Sequence, residues 1–552
     1  MPVKLVQSTP SAYQYPLLIK QLLLTPLAIA PEQEITYQGK LRYTYRTLSM
    51  RIGRLANMLA GLGVESGQTV AMMDWDSHRY LECFFAVPMM GAILQTVNVR
   101  LSPEQILYTL NHAKADVVMV NSEFFPILQQ IAGQLDTVKT FVLISDEADT
   151  PAAPVAMAGE YEALLAAAVS DYDFPDFDEN AQATTFYTTG TTGNPKGVYF
   201  SHRQLVLHTL GCAAALGGAH RQGHIHREDV YMPMTPMFHV HAWGFPYLAT
   251  MMGVKQVYPG RYQPDLLCRL IAEEKVSFSH CVPTILHMVL SHPQAKTTDF
   301  SGLKILIGGA AMPEAMAIAA QKRGMDLFTG YGMSETCPVL SLAHLDSADL
   351  DRSVEEQAVI RAKTGRPLPL VDLRIVDPDM ENVAHDGKAT GEVVVRAPWL
   401  TQGYVAAPEA SEGLWAGGYL HTADIGNINP AGYLKVTDRI KDVIKTGGEW
   451  TSSLQLEDII TKHEAVHEVA VIGVPDDKWG ERPLALVLLK PDHVGQITEH
   501  ALRNYAAHAI EAEGISRYGV LLQVRFVKTL VKTSVGKMNK RLMRADPDAL
   551  CI

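Results

Sequence analysis

The architecture this sequence predicts is α/β: a large N-terminal domain with two parallel-sheet α/β subdomains plus a β-rich subdomain, followed by a small α+β C-terminal domain. Three observations carry it. Apolar extended runs alternate with helical patterns through most of the chain, the rhythm of parallel strands joined by crossover helices. After Pro367 the texture shifts to shorter strands and turns. After Asp438 it shifts again, to half-buried alternating strands and one helix.

The apolar run 83–94 is interrupted by Pro88 and is too short to span a bilayer. Residues 117–120 and 140–144 read as buried strands, and 148–181, rich in Ala, Pro and Asp, as a surface excursion between two halves of the large domain. Thr184, Thr185, Phe186 and Tyr187 end a further strand, extended structure resumes at 198–200, and a crossover helix covers 201–216. Residues 303–307 form a strand followed by Gly308-Gly309-Ala310-Ala311, and Gly330-Tyr331-Gly332 is expected to follow another. Ligands of such sheets sit past the carboxyl ends of strands, so these loops converge on one crevice. Short strands are expected at 371–376, 391–396 and 433–436, then longer ones at 468–474 and 483–489 and a helix over 498–511.

At 552 residues the chain exceeds one ordinary core. Its 47% hydrophobic and 19% charged residues are those of a globular protein with a large interior. A net charge of −12 without a Lys/Arg run excludes a nucleic-acid partner. Six cysteines, with no CxxC pair among them, suit a reducing compartment. The leucine-rich stretch near the N-terminus is interrupted by Lys20 and Gln21 and is followed by no cleavage pattern. The reading is a cytoplasmic protein whose membrane contact is at most peripheral. A homodimer is compatible with the chain.

The stretch Tyr187-Thr188-Thr189-Gly190-Thr191-Thr192-Gly193-Asn194-Pro195-Lys196-Gly197 has the composition of a polyanion cradle. Glycines let backbone N–H groups approach oxygen, hydroxyls donate to phosphate or coordinate its metal, and the ammonium adds a point charge. It is not a Walker loop, because Lys196 precedes Gly197 and no Ser or Thr follows a Gly-Lys pair.

Further blocks follow in order: Pro236-Met237-Phe238-His239-Val240-His241-Ala242-Trp243, Gly330-Tyr331-Gly332-Met333-Ser334-Glu335-Thr336, Tyr419-Leu420-His421-Thr422-Ala423-Asp424, Asp438-Arg439-Ile440-Lys441-Asp442, Ile444-Lys445-Thr446-Gly447-Gly448-Glu449-Trp450 and Thr533-Ser534-Val535-Gly536-Lys537. Together with the threonine-rich loop these seven blocks, spread over about 350 residues, resemble the acyl-adenylate-forming (AMP-forming) superfamily, nearest to medium- and long-chain fatty-acyl-CoA synthetases.

The resemblance implies ATP-dependent activation of a carboxylic acid to acyl-AMP and transfer to CoA, with AMP and pyrophosphate released. Thr188, Thr189, Gly190, Thr191, Thr192, Gly193 and Lys196 would hold the phosphates of ATP. Gly309, Thr329, Gly330, Tyr331 and Ser334 would hold the adenine side, Asp424 and Arg439 the ribose. Glu335, assisted by Thr188, would hold Mg²⁺, since hard carboxylate oxygen suits that ion. Lys537 matches the lysine that contacts carboxylate and α-phosphate. Lys441 matches the hinge of the C-terminal lid, giving domains 1–438 and 442–552 about a hinge at 439–441. Lys441, Lys445 and Trp450 would touch the nucleotide, and Lys445, Gly447, Gly448 and Glu449 the CoA arm. His239, Trp243, Gly308, Gly309 and Gly332 would line the acyl channel, with the indole as a gate and with Gly308, Gly309 and Ala310 small enough to leave space for an alkyl chain. Departures are Ala423 where glycine is usual, Ser334 where threonine is common and Val531 where proline is frequent. Three rival readings stay open: an adenylating enzyme that loads a carrier protein, a CoA ligase for another hydrophobic acid, and a noncatalytic nucleotide or acyl sensor.

Overall fold

The computed structural model describes residues 3–147, 151–188, 194–219, 222–446, 449–512, 519–533, 538–547 and 550, with only the backbone at 449 and 450. Two large sheets dominate. The first has six strands in the spatial order Thr140–Ile144, Ala115–Asn121, Thr69–Met73, Ile93–Thr96, Gln182–Tyr187, Gly197–Ser201. All its pairs are parallel except the last, a hairpin that carries the threonine-rich loop at its tip. Every residue of Thr69–Met73 is buried, as expected of a strand covered on both faces.

The second sheet has nine strands, and its central six run parallel: Asp326–Gly332, Lys304–Ile307, Phe278–Cys281, Val230–Pro233, Lys255–Tyr258 and Glu34–Tyr37. Antiparallel strands close both rims. One main hydrophobic cluster draws residues from both large sheets and from the β-rich region, so these elements share an interior.

The crossover helix His202–Gly217 starts where the sequence indicates. The Ser201 side chain accepts from Gln204 N while Gln204 reaches back to Ser201 N, a reciprocal cap. The apolar run around Pro88 forms the helix His78–Met89, buried on every face, with the proline in its final turn. The stretch 148–181 is less of an excursion than expected. Its helix Tyr161–Ala167 packs on the helix Tyr45–Gly61, and the Tyr161 hydroxyl donates to the buried Glu82 at 2.7 Å.

Beyond Pro367 comes an antiparallel sheet of Asp372–Val376, Gly391–Arg396, Tyr419–Ile428 and Trp415–Ala416, with Leu434–Arg439 paired to Tyr419–Ile428. The C-terminal part builds a smaller sheet around Val466–Asp476 and Gly480–Leu489, backed by the helices Ser453–Thr461 and Glu499–Ala512 around hydrophobic clusters of their own. The mixed α/β class and the smaller C-terminal domain both match the sequence reading. No described helix is long and apolar enough to cross a membrane.

Candidate active site

The carboxyl ends of four neighbouring parallel strands open on one cavity of about 80 Å³. Met234 and Thr235 follow the strand Val230–Pro233, Val282 and Thr284 follow Phe278–Cys281, Gly308 and Gly309 follow Lys304–Ile307, and Tyr331, Gly332 and Ser334 belong to the end of Asp326–Gly332 or lie just past it. This is where an α/β sheet offers backbone groups to a ligand. Of the residues anticipated from sequence, His239, Trp243, Gly308, Gly309, Gly330, Tyr331, Gly332 and Ser334 all line this cavity. Arg100, from the first sheet's side, is the one Lys or Arg on its wall among the described residues and belongs to no motif block.

Gly330-Tyr331-Gly332 does not follow a strand. It forms the end of one, paired antiparallel to Val339–Leu342 with a register shift between Tyr331 and Gly332. The extension of the strand past its parallel neighbours brings Tyr331 over the cavity. The expectation that Gly308 leaves open space for an alkyl chain is also corrected, and Gly332 is approached as closely. A Cβ on Gly332 would stand 1.7 Å from the Pro338 carbonyl oxygen, and one on Gly308 2.9 Å from Trp243 Cη2. Both glycines are needed for close approach, the second to admit the indole. Thr329 is not on the cavity, because its hydroxyl donates to Arg361 O at 2.7 Å and its carbonyl accepts from Ala343 N at 2.8 Å.

Trp243 sits on an unusual backbone. Val240, His241, Ala242, Trp243 and Gly244 all have positive φ, from 48° to 76°. A left-handed turn costs L-residues roughly 1–2 kcal/mol each, most for a β-branched one such as Val240. Buried contacts hold the entry to this turn. Met237 N donates to Asp76 Oδ1 at 2.8 Å, and the Thr96 hydroxyl donates to Phe238 O at 3.0 Å. His241 is enclosed by Phe84, Phe186 and Phe200, and neither of its ring nitrogens has a hydrogen-bond partner among the described residues. Burial pushes its pKa down to about 3, so it is neutral. The Trp243 ring rests against His280, with centroids 5.1 Å apart.

Among the residues expected to hold the nucleotide, the Tyr331 hydroxyl donates to Asp424 Oδ2 at 2.7 Å, and Arg439 Nε donates to Asp424 Oδ1 at 3.2 Å. Asp424 and Arg439 are cross-strand partners, which fixes their spacing through the ladder. Ala423, where glycine was expected, adopts φ 57°, the conformation that favours glycine.

Thr188 and Lys196 close the base of the phosphate loop: Thr188 N donates to Lys196 O at 2.9 Å and Lys196 N to the Thr188 hydroxyl at 3.2 Å. Glu335 is buried on a short 3-10 turn, Ser334–Thr336, and its Oε1 accepts from the Tyr404 hydroxyl at 2.7 Å. Glu335 and Thr188 are the hard-oxygen donors the sequence offers for Mg²⁺. Among the described residues no three His, Cys, Asp or Glu side chains form a metal cluster. Hard oxygens such as those of Glu335 and Thr188 suit an ion held largely by substrate phosphates and water, which needs only one or two protein carboxylates.

Lys441 and Lys445 do not line the cavity. Lys441 has a pKa lowered by burial and by the Arg439 charge, and its carbonyl accepts from Arg544 Nη1 at 2.7 Å. Lys445 lies on the strand Ile444–Thr446, with its N–H donated to Glu481 at 2.8 Å. Thr189, Gly190, Thr191, Thr192, Gly193, Gly447, Gly448 and Lys537 lie outside the described residues, as do the side chains of Glu449 and Trp450.

The comparisons with known proteins show the family. The model of the AMP-binding enzyme family matches residues 27–405, and that of the AMP-binding enzyme C-terminal domain matches residues 455–537. The chain belongs to the AMP-binding enzyme family. Among its relatives, a long-chain-fatty-acid–CoA ligase of Thermus thermophilus is 38% identical over 508 residues, covering 91% of this chain and 90% of that one. A 3-methylmercaptopropionyl-CoA ligase of Ruegeria lacuscaerulensis is 36% identical over 519 residues, covering 92% of this chain and 93% of that one. Of solved structures, the anthranilate CoA ligase AuaEII in complex with anthranoyl-AMP superposes with a TM-score of 0.82 at 24% identity, covering 96% of this chain and 98% of that one. At that identity it is the fold that is shared.

Proposed function

We propose that this chain is an AMP-forming acid–CoA ligase that activates a medium- or long-chain fatty acid with ATP and transfers the acyl group to CoA. The single observation that carries this reading is the cavity itself. His239 and Trp243 stand on its wall beside Gly309, Tyr331 and Ser334, with Asp424 one hydrogen bond beyond Tyr331 and Arg439 one beyond Asp424, which supports an acyl side meeting a nucleotide side. The relationship to the fatty-acid–CoA ligase supports the aliphatic acid.

A carboxylate cannot react with a thiol directly, because its leaving group would be oxide, whereas an acyl-adenylate leaves as AMP. Arg439 and Asp424 orient the ribose, Tyr331 covers the adenine, and Lys196 offers its ammonium to the phosphates. Glu335 and Thr188 would hold Mg²⁺, which when bound neutralises phosphate charge. Lys537 supplies positive charge to the α-phosphate during adenylation, and a rotation of the lid about Lys441 replaces it by the 445–450 loop for thioester formation. A cytoplasmic setting is supported by the described cysteines, all buried and unpaired.

A second reading, a short or sulfur-containing acid, is favoured by the relationship to the 3-methylmercaptopropionyl-CoA ligase and by the buried Trp243 on the cavity wall. A panel of C4 to C18 saturated acids, assayed for AMP and thioester, separates the two. Activity per acid should rise about fourfold per methylene, at roughly 0.8 kcal/mol each, up to a sharp break in the medium or long range. A maximum at C4 that falls with every added carbon contradicts the fatty-acid reading.

A further inference from the structure

Tyr404 lies in none of the motif blocks, yet it touches both ends of the phosphate machinery. Its hydroxyl donates to Glu335 Oε1 at 2.7 Å, and Lys196 Nζ stands 4.6 Å from the centroid of its ring. The strap that carries it is pinned on both sides. Thr401 N donates to Glu335 O at 2.9 Å and Val405 N to Gly197 O at 2.8 Å, while the Thr401 hydroxyl donates to Tyr199 O at 2.9 Å. Tyr404 N is held by Ser411 Oγ at 2.8 Å. Both Tyr404 and Glu335 are more than nine-tenths buried.

We propose that Tyr404 is a positioning residue that couples the carboxylate of Glu335 to the ammonium of Lys196, so that metal and phosphate are gripped in one fixed geometry. The inference rests on reading Glu335 as the metal-holding carboxylate and Lys196 as a phosphate contact. One oxygen of Glu335 is committed to the phenol, and the other, Oε2, makes no hydrogen bond among the described residues, which leaves it to face a hard cation. Carboxylates that ligate metals are typically oriented by such an outer hydrogen bond, and its loss costs about 10- to 100-fold in metal affinity or activity. The ring face gives Lys196 a weak cation–π seat, which limits the conformations of a long, flexible side chain. The two contacts share one rigid aromatic group, so Glu335 and Lys196 cannot drift apart independently.

The test separates the two contacts. Mn²⁺ is titrated into the full-length enzyme, held in excess over α,β-methylene-ATP, and its binding is followed by electron paramagnetic resonance. Tyr404→Phe removes the hydroxyl and keeps the ring. It should raise the Mn²⁺ concentration for half-saturation by about 10- to 100-fold, with the thermal midpoint and the affinity for the acid unchanged. Tyr404→Leu removes ring and hydroxyl, and should in addition weaken binding of the metal-free analogue. If Glu335→Gln weakens Mn²⁺ binding while Tyr404→Phe behaves as wild type, the coupling is absent and Tyr404 only fills space. Equal losses of metal and acid affinity in Tyr404→Phe would also overturn it, as a general packing defect. If Glu335→Gln itself binds Mn²⁺ normally, the metal reading of Glu335 fails and the inference falls with it.

Discussion

Asp76 shows how much one buried side chain can decide. Its Oδ1 accepts from Met237 N, its Oδ2 accepts from the Tyr262 hydroxyl, and its carbonyl accepts from Gly260 N. It thereby ties the acyl motif to the first sheet. Burial pushes its pKa up to about 7, against the pull of those donors and of Arg100, and Asp74 adds to the rise. An unfolded aspartate titrates near roughly 3.9, so folding takes up a proton here. The stability Asp76 contributes is therefore full below about pH 4 and is lost as pH rises through about 7, by roughly 4 kcal/mol in all. Asp76→Asn keeps an acceptor for Met237 N without the ionisation. Between pH 5 and pH 8 the thermal midpoint of the wild type should fall relative to that of Asp76→Asn, and parallel profiles would show that another group titrates. Asp76 stands in no recognisable motif, and only the loop crossing from the first sheet to Met237 reveals it.

At the scale of the element, the left-handed turn of residues 240–244 shapes the wall proposed for the acyl group. Its strain is offset by packing, including the fit of Trp243 over Gly308. Gly308→Ala should push the indole, since the new methyl would lie 2.9 Å from Trp243 Cη2 and 3.0 Å from Gly330 O. The KM for the acid should rise by roughly tenfold, about 1.4 kcal/mol, and the effect should shrink in a Trp243→Ala background, because neighbours in contact are not additive. Strict additivity would place the ring elsewhere.

The periodic elements here were legible because burial imposes a period. The strand Thr140–Ile144 and the helix His202–Gly217 follow directly from their sequence patterns. The turn was not legible. Nothing in Val240, His241, Ala242 and Trp243 favours positive φ, and their conformation is imposed by Asp76, Thr96 and an aromatic cage from other parts of the chain. The strand-borne Gly330-Tyr331-Gly332 was misread for a similar reason, because its partner Val339–Leu342 supplies the pairing.

At the scale of the whole molecule, the proposed two-step chemistry asks the C-terminal lid to change position between half-reactions. Arg544 donates to the carbonyls of Lys441 and Asp442, at 2.7 and 3.1 Å, so the proposed hinge is latched by the helix Lys540–Ala545. Lys441→Pro would restrict φ at this point and hinder the rotation. If the lid is trapped in the adenylating state, ATP–pyrophosphate exchange should persist while thioester formation collapses. Normal turnover of that variant would remove Lys441 as the pivot.

The central claim, that one cavity activates an acid as its adenylate and then hands it to a thiol, is tested most directly by oxygen tracing. The enzyme is given an acid labelled with oxygen-18 in its carboxyl group, together with ATP and free CoA, and the products are weighed by mass spectrometry. One carboxyl oxygen attacks the α-phosphorus and the bond between carbon and that oxygen breaks when the thiol attacks, so each AMP should carry one labelled oxygen and match one acyl-CoA. Label in inorganic phosphate or pyrophosphate, or unlabelled AMP beside labelled thioester, would contradict the account.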